Sequence, residues 1–175
     1  DRLPAFESDP SFQTNLQPGG YYYIQLNLQW EGLDDIRVRQ AIAHAIDKEA
    51  LNEGVLQGTC APTGQPLVSF MDGYDEALND LYPYDPERSR ELLAEAGFAD
   101  GLELPGIFAS SVPYDGIATA VQSMLADVGV TADFTTSSIP ELQVMWREGE
   151  AALHTPGATF RGDTSQQLLT FRSPA

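Results

Sequence analysis

Two histidines, one cysteine and the tripeptide Arg161-Gly162-Asp163 are the first residues of this 175-residue chain to invite a chemical reading. Hydrolysis needs a nucleophile, a base and a group that orients the base, and histidine is the usual base. His44 lies in "AIAHAID", inside a helical pattern, where an imidazole serves structure more readily than catalysis. His154 lies in "AALHT", a short apolar segment running into "TPGATFRGD", and there a core role and a ligand contact are both open. No serine stands in a G-x-S-x-G elbow, and neither histidine has a partner at metal-ligand spacing. Cys60, being alone, forms no intrachain disulfide and no cysteine-based zinc site. Phosphate-cradling glycine loops are also missing after any predicted strand. No catalytic residue, metal or cofactor is expected, and a binding module fits these residues better than an enzyme. Trp30, Trp146 and Tyr21 to Tyr23 could build a stacking surface, although aromatic residues in strands more often fill a core.

Twenty-six acidic residues against nine basic ones leave a net charge of −17, and Lys48 is the sole lysine. Such a field disfavours nucleic acid and anionic membrane as partners, and its plainest use is solubility, including solubility in salt. At 42% hydrophobic residues the chain can build one core. No apolar run approaches the ~20 residues that span a bilayer. The amino terminus Asp1-Arg2-Leu3-Pro4 carries no basic and apolar leader.

The elements that would position these groups alternate in type. Residues 1–20, ending in Pro18-Gly19-Gly20, read as a lead-in without sustained periodicity. "YYYIQLNLQ", Tyr21 to Gln29, has the period of a half-buried strand. Asp34 and Asp35 then precede a helical pattern in which Ile36, Val38, Ile42, Ala45, Ile46, Leu51, Val55 and Leu56 share one broad face, with Gly58 as its stop. Residues 57–84 hold three prolines and three glycines without period and predict a long surface loop. Asp85-Pro86 announces a second helix ending at Gly97, followed by a strand over Leu102 to Ser110. A helix from Asp115 to Val128, a strand "VTADFTT", a helix from Pro140 to Glu148 and the strand "AALHT" complete the order. Strands alternating with helices of this length point to an α/β layered fold.

Three stretches carry a family resemblance. "LNLQWEGLDDIRVRQAIAHAIDKEAL" at 26–51 resembles the "LN…PPFDDVRVRQAINYAIDREAI" of the family 5 extracellular solute-binding proteins, the dipeptide and oligopeptide type receptors of ABC importers. "YPYDPERSRELLAEAGFADGLEL" at 82–104 is similar to the family's "YPYDPEKAKELLAEAGYPDGFEL", and "AVQSMLADVGVTADF" at 120–134 to its "IQADLAKIGIKVEI". The motifs stand in the family's order and cover roughly residues 21 to 170. The resemblance implies one α/β lobe of a two-lobed, type II periplasmic-binding-protein-like fold, a mixed sheet with flanking helices. Residues 21–175 would be the lobe nearer the carboxyl end of a longer receptor, with the other lobe and the signal sequence outside this chain. It further implies a periplasmic or extracellular protein that takes a small-molecule solute between its lobes and hands it to an ABC permease.

Ligand contacts in this family come largely from a loop that reads approximately G-W-x-A-D-Y-x-x-P in peptide receptors, where the Asp pairs with the peptide amine. Laid on this chain without gaps, Gly157 takes the place of the Gly, Ala158 of the Trp, Phe160 of the Ala and Arg161 of the Asp. A guanidinium in that place repels an ammonium and favours a carboxylate. Arg161-Gly162-Asp163 also fits the R-x-D of a G-R-x-D-P variant, with Thr164 replacing its Pro. His154, Gly157, Ala158, Thr159, Phe160, Arg161 and Asp163 are therefore the expected ligand-binding residues, with Asp163 either partnering Arg161 or capping a helix near Gln166. Two alternatives stand beside this reading: an adhesion module using Arg161-Gly162-Asp163, and a hydrolase using His154. Adhesion needs an exposed flexible tip, whereas this tripeptide lies between a buried-looking strand and "QQLLTF".

Overall fold

The computed structural model describes residues 6, 8–13, 20–155 and 158–159. Eight strands and five α-helices are found among them: β1 (Gly20–Tyr21), β2 (Gln25–Leu26), α1 (Ile36–Ala45), α2 (Lys48–Gly54), α3 (Pro86–Glu95), β3 (Leu102–Glu103), β4 (Gly106–Ala109), α4 (Tyr114–Asp127), β5 (Val130–Thr131), β6 (Phe134–Ser137), α5 (Ile139–Arg147), β7 (Leu153–Thr155) and β8 (Ala158–Thr159). Residues 55–85 form the predicted loop, with one short 3-10 turn at Glu76–Leu78.

The central sheet has the order β2-β7-β4-β6, with β4 parallel to β6 and β7 and β2 antiparallel to β7. Several predicted strands are divided in two. Leu102 pairs with Val130 and Gly106 with Phe134, so one parallel register runs through both halves. Pro105 sits at the break because it has no N–H to donate to a ladder. Its carbonyl instead accepts from Ala152 N at 2.8 Å. The expected strand over Tyr21 to Gln29 is likewise two short pieces in one antiparallel register, Gly20 opposite Thr159 and Gln25 opposite His154.

A second correction concerns the first helix, expected to run unbroken to Gly58. It stops at Ala45, and Ile46 is extended (φ −99°, ψ 112°). Asp47 then opens α2 by accepting the Ala50 N–H at 2.9 Å. Asp is a better cap than a helix interior residue, because its short carboxylate competes for nearby N–H groups. Ile36, placed on the buried face by periodicity, is 57% exposed. The other predicted starts hold: Asp35 accepts Arg37 N–H at 2.8 Å and Asp85 accepts Arg88 N–H at 2.9 Å, with Pro86 in the first turn.

Alternation along β4 divides the core into two layers. Leu104 and Phe108 face α1, α3 and α4, packing with Val38, Ala41, Leu93, Val121 and Leu125. Ile107 and Ala109 face the other way, against Leu142, Met145 and Trp146 of α5. α1 and α3 are tied together by Ser89, whose buried hydroxyl donates to the Ala41 carbonyl at 2.8 Å. The sheet thus lies between α4 on one face and α5 on the other.

Candidate functional site

Because β4, β6 and β7 run parallel, their carboxyl ends gather at one edge of the sheet. From β4 the chain passes through Ser110, Ser111, Val112 and a cis Val112–Pro113 bond into α4 on the first face. From β6 it passes through Ser138 into α5 on the opposite face. Connections that leave neighbouring strands for opposite faces open a crevice between the strand ends, the usual ligand position in open α/β sheets. Ser110 N–H bonds the Ser137 carbonyl at 2.9 Å across the base of this crevice.

Its rim is built from hydroxyls and rings. Val112 projects with 91% of its surface exposed. Tyr22, just beyond the end of β7 on the facing chain, meets Tyr114 edge to face at 5.4 Å. Burial raises the Tyr114 hydroxyl pKa, with Tyr22 adding to it, and the same effect raises Tyr22 beside Cys60. Glu141, in the first turn of α5, accepts from the Ser137 hydroxyl, from Ser138 Oγ at 2.6 Å and from Ser138 N–H at 3.2 Å. These bonds, Ser137 first, hold its carboxyl below the ordinary Glu value. The carboxylate is therefore engaged with its own helix start.

Of the residues the sequence singled out, His154 is placed on β7, 5% exposed. Its Nδ1–H donates to the Ile107 carbonyl at 3.3 Å and its ring lies 5.3 Å from that of Trp146. Burial lowers its pKa, opposed in part by that carbonyl. Ala158 and Thr159 form β8, opposite Tyr21 and Gly20, which lays the start of the expected ligand loop beside the aromatic segment 21–23. Gly157, Phe160, Arg161 and Asp163 lie outside the described residues, as does the expected helix near Gln166. His44, the other histidine, anchors the long loop by donating to the Pro83 carbonyl at 2.8 Å.

Sequence reasoning missed Thr155. It is 1% exposed at the last position of β7, and its hydroxyl has no hydrogen-bond partner among the described residues. Such a group costs about 1–3 kcal/mol while it stays unpaired. Ser110 to Val112 and Tyr114 were also missed, and the one signal that could have marked them is their place just after a predicted strand, whereas Tyr22 was already read as part of a stacking surface.

The family model for "Bacterial extracellular solute-binding proteins, family 5 Middle" matches residues 1–175. The chain belongs to solute-binding protein family 5. Curated relatives of this family 5 chain include Heme-binding protein A of Haemophilus influenzae, 34% identical over 154 residues and matched by 85% of this chain. The Dipeptide-binding protein of Escherichia coli is 33% identical over 155 residues, again across 85% of this chain. The family 5 chain spans 28% and 29% of the length of these two relatives. Among solved structures, HbpA2 from Haemophilus parasuis superposes with a TM-score of 0.86 at 31% identity, over 96% of this chain and 34% of that one. The mixed α/β architecture of family 5 is thus present, and binding of a solute is the family's role.

Proposed function

We propose that this chain is the ligand-binding lobe, over residues 21–175, of a longer two-lobed receptor that captures a small solute between its lobes and delivers it to an ABC permease. The observation that carries the reading is the crevice between the carboxyl ends of β4 and β6, flanked by Thr155, whose buried hydroxyl has no partner among the described residues. Thr155 leads directly into Gly157 to Asp163, the loop that the family resemblance assigns to ligand contact. Family membership supports a binding role, and relatives named for heme and for dipeptides differ enough in solute that membership does not choose one. Arg161, standing where a peptide receptor carries the amine-pairing aspartate, favours a solute with a carboxylate or other anion. The wall assigned here is half of a clamp, so affinity rests on both lobes, and membership of an extracellular solute-binding family supports a receptor that works in the periplasm or outside the cell.

The test is a thermal-shift screen of the full-length protein against peptides, organic acids, sugars and opines. A solute at a hundred times its Kd should stabilise the protein by about 2.7 kcal/mol. Arg161→Ala should remove most of the response to an anionic solute. Thr155→Val should leave the free protein at least as stable, since it deletes a buried hydroxyl with no partner among the described residues, and should weaken the response. A strong response to amine-bearing peptides that survives Arg161→Ala would sink the anion reading.

A further inference from the structure

We draw no further inference here: the strongest candidate, the start of α4, which has no side-chain cap, together with the buried Thr155 hydroxyl at the end of β7, belongs to the solute crevice already described.

Discussion

At the scale of single residues, His154 shows how burial sets chemistry. The imidazole sits between the Ile107 carbonyl and Trp146, and desolvation holds its pKa below 6.5. In the unfolded chain it binds a proton more readily than in the folded one. Its contribution to stability is therefore complete above pH 6.5 and is lost as pH falls through the lower folded value. His154→Phe should keep the ring packing and remove that slope. We expect the thermal midpoint of the wild type to fall more than that of the variant between neutral and mildly acid pH; parallel curves would contradict the assignment. Asp35 and Asp85 were legible as caps from the sequence, since a cap needs only a carboxylate within reach of an N–H two or three residues on. The Thr155 orphan was illegible, because whether a hydroxyl finds a partner depends on the strands beside it.

Among the elements, the parallel pair β4–β6 depends on one close approach. A Cβ added at Gly106 would lie 2.4 Å from two ring carbons of Phe134 and 3.2 Å from Leu153 Cβ. The Phe134 ring is itself packed on Phe108 at 4.5 Å between centroids. Gly106→Ala must push that ring off its partner, so overpacking should cost about 1–3 kcal/mol, read as a lower urea midpoint with an unchanged slope. A variant as stable as the wild type would mean that the ring moves freely. Element types were readable from periodicity and caps, and element lengths less so. The break at Ile46–Asp47 escaped the pattern because residues on both sides continue the same apolar face. The division of the strands at Pro105 was visible as a proline, but only the register on either side shows that the two halves form one line.

For the whole molecule the dominant global term is charge. Against a net charge of −17, the ion pairs among the described residues engage the carboxylates of Asp35, Glu87, Glu91 and Glu95. The surplus carboxylates repel one another over distances that salt shortens from about 30 Å at 0.01 M to about 3 Å at 1 M. Stability should therefore rise with sodium chloride over that range, by about 1 kcal/mol or more, which for a domain of this size is roughly 2–4 °C in Tm. A midpoint that stays flat or falls with salt would show that the exposed pairs outweigh the repulsion.

The sequence alone settled the class of fold, the order of elements, most helix starts and the family, because these rest on local propensity, short-range capping and motifs contiguous in the chain. It also pointed to the loop after β7, through a resemblance whose central residues lie outside those described. What only the tertiary structure decided was which strand ends meet: that β7 inserts between β2 and β4, that α4 and α5 leave for opposite faces, and that Tyr22 meets Tyr114 beside exposed Val112. Trp30 and Phe98, far apart in the chain, line one shallow groove for the same reason. Such contacts are set by strand order and by the burial of two separate layers, long-range outcomes that no local pattern encodes.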